Sequence, residues 1–116
     1  MKTIDFKSLS ENLTSPLNIV FISAEWCGPC VAIQKPLFAL VEKHPEVNCL
    51  YINIKDRGES ISGTIFEGKI RGFPSVTIVD NKNELLYIST NSLLVAETII
   101  NRVKESLNEK GTTEQV

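Results

Sequence analysis

The sequence contains no long apolar segment, no strong imbalance of charge and few cysteines. Its 116 residues include three cysteines and one histidine, and the formal net charge is −2. No run approaches the roughly 18 apolar residues of a membrane span. The polar start, MKTIDFKSLSEN, has no apolar core of the kind that a signal peptide needs. Without a basic stripe or a basic helix face, neither nucleic acid nor an acidic membrane surface is an expected partner.

The composition is that of an ordinary globular domain. The chain is 42% hydrophobic and 22% charged, which is close to the average, and its length fits one domain. We predict a single domain over residues 1–109 and a flexible tail over residues 110–116. The sequence as written shows no leader, so we expect a cytoplasmic protein. We expect a monomer, although the sequence leaves dimerisation open.

Strand-like and helix-like segments alternate along the chain. Segments with the composition of strands cover residues 2–4, 17–23, 46–54, 74–79 and 84–90. Segments with helical spacing or helix signals cover residues 5–13, 28–43, part of 58–69, and 92–107. This order predicts an α/β fold with a mixed central sheet, in which parallel strands come first and a C-terminal antiparallel hairpin comes last. Helices should flank the sheet on both faces.

Two of the cysteines lie three residues apart in the segment AEWCGPCVAI. Cys27 follows a predicted strand and begins a predicted helix, where free N–H groups and the helix dipole stabilise a thiolate. Pro29 suits the first helical turn, and Gly28 leaves the approach to Cys27 open. Cys30 follows one turn later, at a spacing that permits a disulfide. The pair predicts thiol–disulfide exchange, in which Cys27 attacks a substrate disulfide and Cys30 resolves the mixed disulfide.

These side chains allow other interpretations. The pair could form a structural disulfide or half of a zinc site, but zinc takes four ligands, and only Cys49, His44 and scattered carboxylates remain. No metal site is therefore expected. Cys49 lies in an apolar strand, which predicts a buried and inert thiol. His44 ends a predicted helix, where its cation would gain from the helix dipole, and disulfide exchange requires no histidine.

Two short segments carry a resemblance to a known family. WCGPC, residues 26–30, resembles the active-site motif of thioredoxins, and IRGFPS, residues 70–75, is similar to the family segment that ends in a cis-proline facing the cysteines. The resemblance covers roughly residues 2–108. It implies a thioredoxin fold in which Pro74 is cis and lies beside the thiols.

The resemblance also implies roles for neighbouring residues. The backbone of Phe73 would pair with an extended substrate chain, and Gly72 would let that chain approach closely. Trp26 would form a flat apolar wall beside Cys27. The implied activity is the reduction of disulfides in protein substrates, with no bound cofactor and with the Cys27–Cys30 disulfide as the redox-active group. A thioredoxin reductase that draws on NADPH, or another dithiol donor, would recharge the protein.

The chain departs from the family pattern near the cysteines. Phe21 stands where the family usually carries a buried aspartate, and Tyr51 stands roughly where its lysine partner would be. Loss of a buried carboxylate should favour the Cys27 thiolate, and we hypothesise that proton transfer uses water or Glu25 instead. A simple change of core packing explains the substitution equally well. Thr90 stands where the family has a glycine that lines the substrate groove, so substrate preference should differ.

The sequence also allows other functions. The protein could run in the opposite direction, as an oxidant or isomerase of protein disulfides, because a stabilised thiolate raises the reduction potential. It could also be a partner-binding module in which the thiols are incidental. A glutaredoxin-like use of glutathione is weaker, since no glutathione carboxylate clamp is evident. The Gly-Pro between the cysteines favours the reductant.

Overall fold

The computed structural model describes the backbone of residues 1–55 and 61–115, with side chains up to residue 108. The strands are β1 Lys2–Thr3, β2 Leu17–Ala24, β3 Cys49–Ile54, β4 Ser75–Asp80 and β5 Leu85–Thr90. The helices are a 3-10 turn Phe6–Ser8, α1 Leu9–Asn12, α2 Gly28–Glu42 and α3 Leu93–Gln115. The predicted short helix over residues 5–13 is thus divided between the 3-10 turn and α1.

The strands form one mixed sheet in the order β1-β3-β2-β4-β5. Strand β3 runs parallel to both β1 and β2, whereas β4 is antiparallel to β2 and to β5. Strand β2 therefore lies in the middle of the sheet, and both of its faces are covered. This position explains its continuous apolar run, which is typical of a strand buried on two sides. The predicted α/β fold with parallel strands and a C-terminal hairpin is confirmed.

Helices cover both faces of the sheet, and alternate residues of β2 and β3 enter different core clusters. The first cluster joins the sheet to α2 and α3, and its members are Ile19, Phe21, Leu37, Val41, Val47, Cys49, Val76, Ala96, Ile99, Ile100 and Val103. The second joins the sheet to α1 and to the segment before β4, and its members are Leu9, Leu13, Val20, Ile22, Ala24, Leu50, Ile52, Ile54, Phe66 and Val79. The end of β2 that leads to the cysteines is anchored in the second cluster through Ile22 and Ala24.

The prediction of a helix within residues 58–69 is wrong for residues 61–69, the part of this segment that the structure describes. Residues 61–69 form successive turns whose N–H groups bond to carbonyls three residues back. Gly63 and Gly68 adopt φ angles of +83° and +71°, which are left-handed values that end a right-handed helix. Phe66 is nevertheless fully buried and anchors the segment to the second core cluster. Residues 58–60 lie outside the described part of the chain.

The last helix also differs from its prediction. It runs to Gln115, beyond the predicted end at residue 107. The helical spacing of apolar residues in this segment predicts one buried face, formed by Leu93, Ala96, Ile100, Val103 and Leu107. Ala96, Ile100 and Val103 are buried, but Leu93 is 38% exposed, and Ile99 is buried as well. Packing against α2 and the sheet decides which face of the helix is covered. The spacing of apolar residues alone did not fix the rotation of the helix. The division into a domain over 1–109 and a flexible tail stays a prediction.

Candidate active site

The cysteine segment follows directly from the central strand. The carbonyl of Ala24, the last residue of β2, accepts a hydrogen bond from the N–H of Cys27 at 3.1 Å. The N–H of Glu25 donates to the carbonyl of Ile54 at 3.0 Å, which ties the turn to the end of β3. Cys27 is the N-cap of α2, with an extended backbone, and Pro29 occupies the first turn. The sequence therefore places Cys27 at the positive end of a 15-residue helix.

The two cysteine side chains form a disulfide, and they differ sharply in exposure. Their α-carbons are 5.2 Å apart, inside the usual range for a disulfide. The N–H of Cys30 donates to the sulfur of Cys27 at 3.2 Å. Cys27 is partly exposed, whereas Cys30 is only 2% exposed. One sulfur of the pair can therefore be reached from solvent and the other is covered.

The segment before β4 lies against the end of the sheet in a fixed conformation. The peptide bond between Phe73 and Pro74 is cis. The carbonyl of Pro74 accepts from the N–H of Asn91 at 2.8 Å, and the Ser75 hydroxyl donates to the carbonyl of Gly72 at 2.6 Å. Pro74 is buried and Phe73 is half-buried. Hydrogen bonds on both sides of the proline thus hold this segment in place.

Trp26 connects the cysteine segment to the proline segment. Its ring meets the ring of Phe73 edge to face, with centroids 6.1 Å apart and an interplanar angle of 88°. Trp26 is 40% exposed, so part of its ring lies at the protein surface next to Cys27. Cys27 and Phe73 both pack against the second core cluster. The structure therefore brings Trp26 and Cys27 close to Phe73, which is far from them in sequence.

The two glycines predicted to contact substrate lie on an open surface. A Cβ added at Gly28 or at Gly72 would meet no atom within 4 Å, and both residues are exposed. Neither glycine is required by the packing of the chain itself. The space beside each is open to a partner, and their part in substrate binding stays a prediction.

The positions where the resemblance implies a charged pair hold aromatic side chains. Phe21 and Tyr51 are register partners on β2 and β3, and they are 1% and 3% exposed. The ring of Phe38, on α2, meets Tyr51 edge to face at a centroid distance of 5.0 Å. An aromatic layer therefore lies between the sheet and α2.

A polar pocket of about 370 Å³ opens next to the covered cysteine. Its lining includes Cys30 together with the polar side chains Ser23, Glu25, Gln34, Tyr51 and Asn53. No motif in the sequence marks this pocket, because its lining comes from β2, β3 and α2. Only the alternation of polar residues at the ends of β2 and β3 could have indicated it.

Cys49 and His44 lie away from the pair. Cys49 is 5% exposed, and burial raises the pKa of its thiol from 9.0 to about 12, which confirms the prediction of a buried thiol. His44 Nδ1 is 3.2 Å from the ammonium of Lys104, which also contacts Glu46 at 2.8 Å. Among the described residues, no group of three His, Cys, Asp or Glu side chains could hold a metal ion. In the same part of the chain, no helix is both long and apolar enough to cross a membrane.

A disulfide that follows a central strand at the start of a helix, with Trp26 linking it to the segment of the cis-proline, defines a thiol–disulfide exchange site on an α/β fold. The thioredoxin family model matches residues 2–105. The chain therefore belongs to the thioredoxin family, and the resemblance noted from its motifs is confirmed. Family membership and the Cys27–Cys30 pair together support a thiol–disulfide redox function and the class of disulfide oxidoreductases.

Individual relatives match at lower coverage. A thioredoxin from Ophiophagus hannah is 38% identical over 52 residues, which are 45% of this chain and 50% of that protein. The TPR repeat-containing thioredoxin TDX from Oryza sativa subsp. japonica is 28% identical over 82 residues, which are 71% of this chain and 25% of that protein. The matches thus span half of the first relative's length and a quarter of the second's.

Solved structures share the fold over most of their length. Thioredoxin f2 of Chlamydomonas reinhardtii has a TM-score of 0.72 and 21% identity, over 88% of this chain and 94% of its own. A chain from the crystal structure of a ferredoxin:thioredoxin reductase and thioredoxin f2 complex has a TM-score of 0.72 and 18% identity, over 89% and 94% of the two chains. Identities this low establish the fold alone.

Proposed function

We propose that the protein reduces disulfides in protein substrates through Cys27 and Cys30. The observation that supports this most strongly is the difference in exposure within the pair. Cys27 is partly exposed at the N-cap of α2, and Cys30 is 2% exposed behind it. An attacking thiol must reach a large partner, whereas a resolving thiol only has to reach its neighbour.

The proposed reaction begins from the dithiol. The Cys27 thiolate attacks one sulfur of a substrate disulfide, forms a mixed disulfide and releases the other sulfur as a thiolate. Cys30 then attacks the sulfur of Cys27, which forms the Cys27–Cys30 disulfide and leaves the substrate with two thiols. The N–H of Cys30, 3.2 Å from the Cys27 sulfur, and the helix N-terminus both favour the anionic form of that sulfur.

Substrate would dock on the segments beside Cys27. We assign the backbone of Phe73 the role of pairing with an extended peptide. The ring of Trp26, which is exposed and contacts the Phe73 ring, supports this assignment. The open surface at Gly28 and Gly72 leaves room for that peptide. Pro74 has no N–H and so leaves the neighbouring sulfurs free of a competing donor.

Return of the dithiol requires an electron donor. A thioredoxin f2 has been crystallised in complex with ferredoxin:thioredoxin reductase, which supports a reductase as the partner of this chain. We assign this role to a thioredoxin reductase that draws on NADPH, or to another dithiol donor. Family members act without a bound cofactor, and the Cys27–Cys30 pair itself carries the two electrons in its dithiol form.

Insulin reduction in the presence of dithiothreitol tests the proposal. Wild-type protein should accelerate the precipitation of the insulin B chain, and Cys27→Ser should abolish the acceleration. Cys49→Ser is the matched control, because it also removes one thiol but should leave the rate unchanged. An unaccelerated wild-type reaction, or full activity in Cys27→Ser, contradicts the proposal.

The opposite direction, as an oxidant, is favoured by one observation. Phe21, an apolar and fully buried residue, lies where a carboxylate would disfavour the thiolate. Equilibration with glutathione buffers separates the two directions. A reductant should have a potential below the cytosolic glutathione poise of about −220 to −260 mV by extraction, and a potential well above that range would support the oxidant.

A further inference from the structure

The resolving step requires that Cys30 lose a proton in a covered position. Cys30 is 2% exposed, so bulk water has little direct access to its sulfur. Thiols attack as thiolates, and the proton must therefore have an acceptor close at hand. Phe21, which lies beneath α2 on the same face of the sheet, is apolar and offers none.

The polar pocket that Cys30 lines provides a route for that proton. Its volume of about 370 Å³ exceeds the roughly 30 Å³ that one water occupies in the liquid. Ser23, Gln34 and Asn53 supply hydrogen-bonding groups along its wall. A polar and roomy cavity of this kind meets the conditions for ordered water.

Glu25 is the acidic residue in the described lining of this pocket. The titratable side chains in its described lining are Glu25, Cys30 and Tyr51, and a neutral phenol is a much weaker base than a carboxylate. The backbone of Glu25 is fixed by its N–H bond to Ile54, while its side chain is exposed. Glu25 therefore joins the pocket to bulk solvent.

A larger neighbouring pocket provides a useful contrast. It has a volume of about 810 Å³, shares Gln34, Tyr51 and Asn53 with the first, and carries the carboxylate of Glu11. Cys30 does not line it. Glu11 is thus an acidic residue of the neighbouring pocket that does not share a pocket with Cys30.

We propose that Glu25 accepts the proton of Cys30, through water in the polar pocket, as Cys30 resolves the mixed disulfide. This inference rests on the proposed function. The Cys30 sulfur gives its proton to the water–Glu25 pair and forms a bond to the sulfur of Cys27. The bond between Cys27 and the substrate sulfur breaks, and the electron pair leaves with the substrate thiolate. That thiolate takes a proton from solvent, and Glu25 returns its proton to solvent.

A stopped-flow reaction with Ellman's reagent tests this role, because the two steps release one thionitrobenzoate each. Attack by Cys27 on the reagent gives the first phase, and displacement by Cys30 gives the second. At neutral pH, Glu25→Gln should slow the second phase at least about tenfold, which is a modest general-base effect. The first phase should be unchanged or faster, since removal of a negative charge favours the Cys27 thiolate.

Two further variants distinguish a proton acceptor from a structural role. Glu25→Asp keeps the carboxylate and should hold the second phase within about threefold of wild type. Glu11→Gln makes the same charge change beside the neighbouring pocket and should leave both phases unchanged. An unchanged or faster second phase in Glu25→Gln overturns the inference while the proposed function stands. Absence of the second phase in wild type would instead remove the proposed function.

Discussion

Phe21 and Tyr51 are register partners across β2 and β3, and both side chains are almost completely buried. Phe21 also packs with α2 and α3 residues in the first core cluster. These contacts make it part of the hydrophobic core, so the substitution of an aromatic ring for a family carboxylate is a matter of packing as well as of charge.

Restoring the carboxylate should therefore destabilise the fold. Phe21→Asp removes a buried ring and buries a group that has no partner among its neighbours, so we expect a loss of at least about 3 kcal/mol in the free energy of unfolding. Phe21→Leu keeps an apolar side chain and should lose roughly 1 kcal/mol. Urea titrations of both variants measure the difference. Insoluble Phe21→Asp beside folded Phe21→Leu agrees with this expectation, and a loss below about 1 kcal/mol in Phe21→Asp contradicts it.

The contact between Trp26 and Phe73 should matter for large substrates more than for small ones. Trp26→Ala removes an edge-to-face contact, which is worth roughly 0.5–1.5 kcal/mol, and an apolar surface beside Cys27. We expect kcat/KM for insulin to fall about fivefold, while the first phase with Ellman's reagent changes by less than about twofold. Tyr87→Ala removes an exposed aromatic ring from β5 and is the matched control. Equal losses for both substrates would show that Trp26 acts on the sulfur itself.

Cys49 should stay unreactive in the folded protein. Burial raises the pKa of its thiol to about 12, so almost none of it is thiolate at neutral pH. Iodoacetamide should label it only after denaturant is added. Labelling of Cys49 in native, oxidised protein, mapped by mass spectrometry, would contradict its burial.

The same pKa predicts a dependence of stability on alkaline pH. The folded protein holds the Cys49 proton more tightly than the unfolded chain does. The contribution of Cys49 to the free energy of unfolding is therefore complete below pH 9 and declines as pH rises towards 12. Cys49→Ala should therefore be less stable than wild type at neutral pH, and the gap should narrow at about pH 10.5. Unfolding free energies of both proteins at the two pH values provide the test, and a constant gap would reject it.

Asn18 is a polar residue at the centre of the sheet and should be important for stability. It is fully buried, its Oδ1 accepts from Asn48 Nδ2 at 2.7 Å, and its Nδ2 donates to the carbonyl of Val79 at 3.0 Å. Asn18→Ala removes both bonds and takes the side-chain donor away from the carbonyl of the buried residue Val79, which costs roughly 2–4 kcal/mol. Asn101→Ala, on the exposed face of α3, should change stability by less than about 0.5 kcal/mol. Chemical denaturation of the two variants decides the matter.

The sequence predicted the sheet because its buried strands are short and strongly apolar. Strand β2 is covered on both faces, and such strands appear as continuous runs whose order along the chain defines the parallel connections. The sequence also predicted the positions of Cys27 and Cys30 at the start of α2, because the strand end, the cysteines and the proline are neighbours in sequence.

The features that the sequence did not predict depend on contacts between distant segments. The ring contact of Trp26 with Phe73 and the pocket beside Cys30 join residues from separate elements. The buried face of α3 was misplaced at Leu93 because packing, and not periodicity, sets the final rotation. The prediction of a helix near Gly63 and Gly68 was wrong because both glycines adopt left-handed φ angles, which favour turns.

Trapping of a mixed disulfide tests the central claim most directly. Reduced Cys30→Ser, mixed with a disulfide-containing protein, should accumulate a covalent adduct through Cys27 that is visible on a non-reducing gel and is released by dithiothreitol. Cys27→Ser should give no adduct under the same conditions. An adduct of Cys27→Ser, an adduct of Cys30→Ser through Cys49, or no adduct with Cys30→Ser while wild type still reduces the substrate, would contradict the assignment of Cys27 as the attacking thiol.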